Sequence, residues 1–276
     1  MLFRGITLIA LILAVVLCVL TGGMWLWKLP LFFVAWFLVL GIGAFLLLLY
    51  LTNRVDLSVP QEEDDPFYRK LAILYCNAIQ TGLMIRLHTK GLENVPKDGR
   101  FVLVCNHTSY LDPVLLLGNF PKSQLAFISK RENSEMFIIG KLMHKIMAQT
   151  VNRENDREAL KTILKCISII KEDKASIAVF PEGYISDDGL LRHFRSGVFK
   201  IAQKANVPIV VCTLRNTQAP FHNAPRLRRT DVDLHLVGVV PTEELKGVTA
   251  VDIGNRVYDM MADDLGPDLV YHEETE

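Results

Sequence analysis

Residues 101–113 read FVLVCNHTSYLDP, an unbroken apolar run that passes directly into polar and ionisable side chains. A run this short, apolar throughout and partly β-branched, predicts a strand buried on both faces, as in a parallel or mixed sheet. Three more runs of this kind occur at residues 125–129, 176–180 and 207–214. We take these four segments as strands of one sheet.

Segments with helical periodicity accompany the four runs. Residues 157–173 are amphipathic, residues 197–205 read as a second helix, and residues 67–83 as a third that packs on the domain. Alternating strands and helices predict an α/β fold with a mixed, largely parallel sheet and flanking helices. Ligands of such sheets gather beyond the carboxyl ends of the strands, so polar residues there are candidate functional residues.

His107 and Asp112 follow the first predicted strand with the spacing H-x-x-x-x-D. Five residues of regular helix would rotate the two side chains about 140° apart, so they meet only across an irregular turn. Asp112-Pro113 has the pattern of a helix N-cap followed by proline. One interpretation is structural: a cap, and a histidine satisfied at a strand end. The other is catalytic, because a carboxylate that accepts from an imidazole fixes its tautomer and stabilises the imidazolium.

The third predicted strand ends in Phe180-Pro181-Glu182-Gly183. Such a turn can simply terminate a strand. Ionisable groups now follow two strands of one sheet, however, and this favours a shared functional site.

The sequence resembles the glycerophospholipid acyltransferase family, including its bacterial 1-acyl-glycerol-3-phosphate acyltransferases. The resemblance covers about residues 84–215 and rests first on Asn106-His107…Asp112 and on Phe180-Pro181-Glu182-Gly183. Further matches, in family order, are Lys130, Gly140 and Arg153, then Phe194-Arg195-Ser196-Gly197, then Val207-Pro208-Ile209-Val210. A single H-x-x-x-x-D pattern is weak evidence, whereas four blocks in order are strong evidence.

The resemblance implies direct acyl transfer without a covalent acyl-enzyme. His107 would be the general base and Asp112 would orient it. The implied substrate-binding residues are Asn106, Lys130, Arg153, Glu182, Gly183 and Arg195, with Lys130, Arg153 and Arg195 on a phosphate group. The acyl donor would be acyl-CoA or acyl-carrier protein, which is a substrate and not a cofactor.

The acceptor implied by the resemblance is lysophosphatidate, acylated on its sn-2 hydroxyl to give phosphatidate. Tyr184-Ile185 departs from the family pattern, which usually has threonine and then a phosphate-binding arginine. Either Arg192 or Arg195 takes the place of that arginine, or the acceptor is a different one. Glycerol 3-phosphate and a lyso-aminolipid therefore stay open as acceptors. A non-catalytic lipid-binding protein on the same fold is the alternative outside the enzymes.

The N-terminal part contains two long apolar segments. No charged residue lies between Arg4 and Lys28, nor between Lys28 and Arg54, and each stretch exceeds the roughly 20 residues that span a bilayer. We predict a membrane-anchoring helical hairpin at 1–54, an acidic, solvated linker at 55–66 and the acyltransferase domain at 67–276. A signal peptide, or a hairpin that enters one leaflet, are the alternatives.

Charge predicts the orientation and the partners. Basic residues lie at the two ends of the hairpin and only Lys28 lies at its turn, so the positive-inside rule places the catalytic domain on the cytoplasmic side of the membrane. The formal net charge of zero gives no sign of a nucleic-acid partner. The expected partners are membrane lipid and the two substrates.

Two other chemistries are conceivable for the site, a serine hydrolase and a metal centre, and the sequence supports neither. Ser109 lacks the G-x-S-x-G context of a nucleophile elbow. A metal site built from His107, Asp112 and His144 would lack any recognised ligand spacing.

Overall fold

The computed structural model describes residues 1–22, 25–152 and 155–271. The strands are β1 Ile85–Lys90, β2 Val102–Cys105, β3 Leu125–Lys130, β4 Gln149–Val151, β5 Ser176–Val179, β6 Ile209–Arg215 and β7 Thr230–Val240. The helices are α1 Leu2–Thr21, α2 Trp25–Asn53, α3 Pro66–Gly82, α4 Asp112–Asn119, α5 Arg131–Glu135, α6 Ile139–Lys145, α7 Asp156–Lys171, α8 Phe199–Ala205, α9 Ala219–Asn223 and α10 Ala250–Leu265.

Within the described residues the strands form one sheet in the order β1-β7-β6-β2-β5-β3-β4. The pairs from β6 to β4 are all parallel, whereas β7 runs antiparallel to β6, and β1 runs parallel to β7. The predicted α/β fold with a mixed, largely parallel sheet is therefore confirmed. Because β6, β2, β5, β3 and β4 share one direction, their carboxyl ends lie along the same edge.

The sheet is buried on both faces, as its apolar strands require. In β2, Val102 and Val104 face a cluster with α7, α8 and α10, while Leu103 and Cys105 face a second cluster with α3 and α4. Alternate residues of each strand thus enter opposite layers. This rigid centre fixes the position of every loop that leaves the carboxyl edge.

Strands β1, β4 and β7 are not among the four predicted strands. The strand β7 follows a period of two, with Thr230, Val232, Leu234 and Leu236 buried, and was missed because it interleaves polar residues. β4 has only three residues, too few for a periodic signal.

Two described helices, Leu2–Thr21 and Trp27–Asn53, are long and apolar enough to cross a membrane, each with a mean hydropathy of 2.7. They pack against each other, and Phe3 meets Phe37 edge-to-face at 5.5 Å. Most of their surface is not covered by the rest of the chain. By length and composition they are candidate membrane segments.

Helix α3 joins this hairpin to the domain. The hydroxyl groups of Tyr68 and Tyr75 donate hydrogen bonds to the carbonyl oxygens of Leu51 and Ala44 in α2, at 3.0 and 2.6 Å. On its other side α3 packs on α4. The expectation that α3 packs on the domain is confirmed.

The acidic segment before α3 is not simply solvated, as the sequence analysis expected. Asp64 forms a buried ion pair with Arg69 at 2.6 Å. The guanidinium of Arg69 also donates to the carbonyl oxygens of Leu125 and Ile146. The reason is that Arg69 enters the domain in the first turns of α3, and a buried charge needs a paired and hydrogen-bonded counter-charge. Expecting full solvation for Asp64 was wrong.

Candidate active site

The turn that follows β2 brings His107 and Asp112 together. The Nδ1 atom of His107 lies 2.8 Å from Oδ2 of Asp112, across an irregular segment that precedes α4. The same Oδ2 accepts the backbone N–H groups of Thr108 and Ser109, at 2.7 and 2.8 Å. The carboxylate is fully buried, and the imidazole is 15% exposed. Asp112 is therefore the organising centre of this turn.

The predicted N-cap role of Asp112 is wrong. Helix α4 begins at Asp112 itself and has no side-chain cap at its N-terminus. The carboxylate accepts from N–H groups before the helix and not from those of its first turn, because Pro113 has none to offer and the preceding turn folds over the carboxylate. The side chain holds the His107 turn in place of the helix end.

The partners of His107 define its tautomer. Because an ionised carboxylate only accepts hydrogen bonds, the proton of the neutral ring lies on Nδ1, and Nε2 keeps its lone pair. Nε2 has no hydrogen-bond partner among the described residues. The ring stacks on Phe180 with centroids 4.0 Å apart, which fixes its plane. Such a histidine is arranged to accept a proton at Nε2.

Glu182 reaches the same turn from the end of β5. Its Oε1 accepts the backbone N–H of His107 at 2.7 Å, and its Oε2 accepts that of Arg192 at 3.0 Å. Burial raises the pKa of Glu182 to about 7, and the nearby charge of Asp112 adds to this, against the two backbone hydrogen bonds. Glu182 is therefore a buried brace between two loops.

Asn106 is buried, and its amide is used by the protein. Its Nδ2 donates to the carbonyl oxygen of Leu214 at 2.9 Å, and its Oδ1 accepts the Leu214 N–H at 2.8 Å. These bonds join the end of β2 to β6 where the regular ladder stops. The side chain thus ties adjacent strand ends together beneath His107.

Arg195 and Gly183 lie against each other beside Glu182. The N–H of Arg195 donates to the carbonyl oxygen of Pro181 at 2.8 Å, and a Cβ on Gly183 would come within 3.0 Å of Arg195 Nε. Gly183 has a φ of 85°, which glycine adopts without strain. The exposed Arg195 side chain makes no ion pair within the described part of the chain.

The remaining predicted phosphate-binding residues are less closely associated. Lys130 ends β3 at the same edge of the sheet, but its exposed ammonium group pairs with Glu132 at 2.7 Å. Arg153 lies outside the described residues. Gly140 in the matched second block is required for packing, since a Cβ there would lie 2.0 Å from the carbonyl oxygen of Ser134.

The structure gives the two alternative chemistries no support. The buried Ser109 uses its N–H on Asp112, and its hydroxyl oxygen accepts the Leu111 N–H at 3.2 Å. His144 lies on α6, where Nε2 is 3.0 Å from the carbonyl oxygen of Val59. In residues 1–22, 25–152 and 155–271, no group of three His, Cys, Asp or Glu side chains could hold a metal ion.

Thr217 is a site residue that the sequence analysis missed. It follows β6 and donates its hydroxyl proton to Oδ1 of Asp112 at 2.6 Å. The rule that singled out His107 and Glu182, a polar residue just beyond a parallel strand, applies equally to Thr217. It was overlooked because a threonine carries no charge.

An apolar groove of about 340 Å³ opens next to the site. Its walls include Ile128, Leu160, Ile163, Val179, Phe180 and Val198, and Gly183 and Arg195 also line it. A larger concavity of about 660 Å³ is lined by Phe101, Phe120 and Asp173, next to the opposite ends of the strands. Of these two, the smaller groove is the one that reaches the site, since Phe180 in its wall stacks on His107.

Residues 86–215 match the family model described as Acyltransferase. Over this segment the resemblance inferred from the four sequence blocks is confirmed. The chain is also similar to proteins named 1-acyl-sn-glycerol-3-phosphate acyltransferase. The chloroplast protein of Brassica napus is 33% identical over 184 residues, covering 65% of this chain and 52% of that protein.

A probable 1-acyl-sn-glycerol-3-phosphate acyltransferase of Mycoplasma pneumoniae is 34% identical over 145 residues, 51% of this chain and 53% of that protein. The chain thus spans about half the length of these curated relatives. The crystal structure of the 1-acyl-sn-glycerophosphate (LPA) acyltransferase from Thermotoga maritima superposes with a TM-score of 0.60 at 23% identity, covering 74% of this chain and 81% of that one. The similarity to the Thermotoga maritima structure supports the fold.

Proposed function

We propose that this protein transfers a fatty acyl chain from an acyl thioester to the free sn-2 hydroxyl of lysophosphatidate, which gives phosphatidate. The observation that carries the proposal is the His107–Asp112 pair, with Nδ1 bound to a buried carboxylate and Nε2 left to accept a proton. The names of the relatives support this acceptor and this class of reaction.

His107 is the general base in the proposed reaction. Its Nε2 takes the hydroxyl proton of the acceptor as the oxygen attacks the thioester carbonyl. The tetrahedral intermediate then collapses, the C–S bond breaks, and the imidazolium returns the proton to the departing thiolate. Asp112 stabilises the imidazolium between these two steps. A general base such as His107 contributes about 10²–10⁴-fold in rate.

Arg195 is the proposed principal contact for the acceptor phosphate, with Lys130 and Arg153 as further basic groups. A guanidinium binds a phosphate through two parallel hydrogen bonds, a geometry that a lysine does not reproduce. Two observations favour Arg195. Its side chain packs on Gly183 beside Glu182, and it has no acidic partner among the described residues.

Arg192 is a poorer replacement for the arginine that Tyr184-Ile185 lacks. Its guanidinium pairs with Asp188 and lies 3.8 Å from the centroid of the Tyr271 ring. Its backbone N–H already serves Glu182. Of the two arginines in this loop, Arg195 is therefore the one whose guanidinium is not already engaged by an acidic partner among the described residues.

The apolar groove beside Phe180 and Gly183 suits an acyl chain. It starts at the residue that stacks on His107 and runs between β3, β5 and α7 along aliphatic side chains. Burying methylene groups there stabilises binding by about 0.8 kcal/mol each. The acyl donor is a CoA thioester or an acyl-carrier-protein thioester.

In this proposal residues 1–54 anchor the protein in the membrane. Residues 55–66 connect this hairpin to the catalytic domain, residues 67–276, which lies on the cytoplasmic side. The apolar helices α1 and α2 and the basic residues at both hairpin ends support it. A reporter fused after Glu276 tests it. Cytoplasmic signal is expected, and a protease-accessible C-terminus on the outer face contradicts the orientation.

Acceptor profiling with membranes that carry this protein is the test of the substrate. A labelled acyl thioester is offered with lysophosphatidate, glycerol 3-phosphate or a lyso-aminolipid. We expect lysophosphatidate to give the highest kcat/KM. The departure at Tyr184-Ile185 favours the lyso-aminolipid as the second candidate, and a preference for it would overturn the proposed acceptor. Transfer to none of the three would favour a non-catalytic lipid-binding protein.

A further inference from the structure

Thr217 makes the only hydrogen bond to Oδ1 of Asp112 within the described residues. Its Oγ1 lies 2.6 Å from that oxygen and 2.9 Å from Oγ1 of Thr108. The other carboxylate oxygen, Oδ2, receives His107 Nδ1 and two backbone N–H groups. Thr217 is 1% exposed, so water cannot replace its hydroxyl. It lies two residues beyond the segment matched by the family model, which ends at residue 215.

The direction of these bonds follows from counting protons. An ionised carboxylate only accepts, so the single hydroxyl proton of Thr217 points to Asp112. Thr108 must then donate its own proton to Thr217. The result is one chain of donors, from Thr108 to Thr217 to Asp112, which meets the bond from the His107 ring at the same carboxylate. Bonds in such a chain polarise one another and strengthen each link.

The loop that carries Thr217 is held firmly against the His107 turn. The side-chain amide of Gln218 donates to the carbonyl oxygens of Thr108 and Ser186, at 2.8 and 3.1 Å. The N–H of Ser186 in turn donates to the carbonyl oxygen of His107 at 2.8 Å. Loops from β2, β5 and β6 are thereby joined, and the Thr217 hydroxyl keeps a fixed position.

We propose that Thr217 is a positioning residue for the acyl transfer, acting through Asp112 on the orientation and proton affinity of His107. This inference rests on the proposed function. Without the hydroxyl, Oδ1 is buried without a donor, and the negative charge of Asp112 is less well stabilised. The carboxylate then holds an imidazolium more strongly, so less of the enzyme has a free base at a given pH.

Other ionisable groups near the pair do not depend on Thr217. Glu182 follows β5 and accepts the backbone N–H of His107. The backbone N–H of Arg192, ten residues further along the same loop, donates to the other oxygen of Glu182. The Cys105 thiol lies below them on β2, and burial raises its pKa, so it stays neutral. Tyr258 approaches Glu182 from α10. None of them bonds to Thr217 in the described residues, so their contribution to the pH profile stays the same in its variants.

Thr217→Val tests the inference because valine keeps the shape and removes the hydroxyl. We expect kcat to fall roughly ten- to hundredfold, as for a slightly misplaced catalytic group, with the acceptor KM unchanged. The acidic limb of the kcat/KM profile should lie at higher pH in the variant than in wild type. Thr217→Ser keeps the hydroxyl and should restore both the rate and the limb.

Thr213→Val is the matched control. Thr213 is a buried threonine of β6 that donates to Oδ2 of Asp264 at 2.6 Å, so the same type of bond is lost away from His107. We expect a comparable fall in Tm and no movement of the limb. A wild-type limb in Thr217→Val, or an equal movement in Thr213→Val, would overturn the positioning role.

NMR titration of His107 in the full-length protein in detergent micelles gives a readout that does not require turnover. The His107 titration should move upward in Thr217→Val even if lysophosphatidate proves to be the wrong acceptor. An unmoved titration rejects the Thr217 inference and leaves the proposed function standing. Absent transfer by wild type rejects the proposed function and, with it, the role of Thr217 in acyl transfer, while the titration still reports whether Thr217 acts on His107 through Asp112. If Thr217→Val does not fold, Thr108→Val replaces it, and a smaller movement in the same direction is expected; none would reject the inference.

Discussion

The backbone N–H of His107 donates to Glu182 at 2.7 Å while its ring meets Asp112 at 2.8 Å, so two buried carboxylates hold one residue from two sides. They have different roles. Asp112 contacts the imidazole and controls its charge. Glu182 fixes the backbone from which the imidazole projects, and joins it to the loop of Arg192. One carboxylate thus controls the proton affinity of the His107 ring, and the other controls the position of the His107 backbone.

Glu182 should make the stability of the protein fall as pH rises. Burial raises its pKa from 4.5 to about 7 in the folded state. Below about pH 4.5 the carboxyl is protonated in both states and has no effect. Between 4.5 and 7 the unfolded chain loses its proton first, so stability declines, by a few kcal/mol at most, and stays lower above pH 7.

Thermal unfolding of Glu182→Gln between pH 5 and 8 checks this. In Glu182→Gln the amide NH₂ group must point at one of the two backbone N–H groups that Glu182 accepts, those of His107 and Arg192. This contact between two donors lowers Tm by an amount independent of pH. We therefore compare slopes: Tm of wild type should fall more steeply with pH than Tm of the variant. Parallel curves would show that Glu182 does not titrate in this range.

Substitutions of Asp112 should separate charge from structure. In Asp112→Asn the amide oxygen can still accept the Thr108 and Ser109 N–H groups, and the Thr217 hydroxyl can accept from the amide. We expect this variant to fold but lose about 10²–10⁴-fold in kcat, because a neutral amide does not stabilise an imidazolium. Asp112→Ala leaves two buried N–H groups unpaired, at about 1–3 kcal/mol each. Equal Tm values for the two variants would contradict this account.

Gly183→Ala should weaken acceptor binding, and Gly189→Ala should not. Both glycines have positive φ, 85° and 77°, so alanine costs about 1 kcal/mol of backbone strain at either position. Only at Gly183 does the new Cβ meet the Arg195 side chain, at 3.0 Å, whereas nothing lies within 4 Å at Gly189. Similar Tm values with a higher acceptor KM in Gly183→Ala alone are expected. An equal KM effect in both would leave only strain as the cause.

Arg195→Lys should raise the KM for lysophosphatidate and spare the KM for the acyl donor, because lysine loses the bidentate contact with phosphate. Arg192→Lys is the control, since its guanidinium is engaged with Asp188 and Tyr271 and its backbone bond to Glu182 survives the change. Steady-state kinetics with each substrate varied in turn measure both constants. An unchanged acceptor KM in Arg195→Lys would make Arg195 a packing residue and would favour an acceptor without a terminal phosphate.

The parts of the fold that could be predicted are those with a strong local signal. The strands around Val104, Phe127, Ala178 and Val211 are short, predominantly apolar runs, and each is found in the sheet. From these strands the parallel order implied that His107 and Glu182 would lie at one edge. Their contact through a backbone N–H could not be foreseen, because loop paths are not encoded in periodicity.

Other features depend on partners that are distant in sequence. The acidic neighbours of Asp64 predicted a solvated side chain, but Asp64 is buried because it forms an ion pair with Arg69. Asp112 had the pattern of a cap, but the preceding turn offered N–H groups that the pattern ignores. Thr217 lies 105 residues from Asp112 in the sequence, and only the pairing of β2 with β6 brings them together. Long-range hydrogen bonds set the details of this site.

The most direct test of the account measures acyl transfer from a labelled acyl thioester to lysophosphatidate by vesicles carrying wild type or His107→Ala. We expect wild type to form phosphatidate, and the alanine variant to lose at least about 10²–10⁴-fold in rate while it remains in the membrane fraction. The loss follows because no other base among the described residues is bound to Asp112. Near wild-type transfer by His107→Ala would contradict the mechanism, and no transfer by wild type would contradict the proposed function.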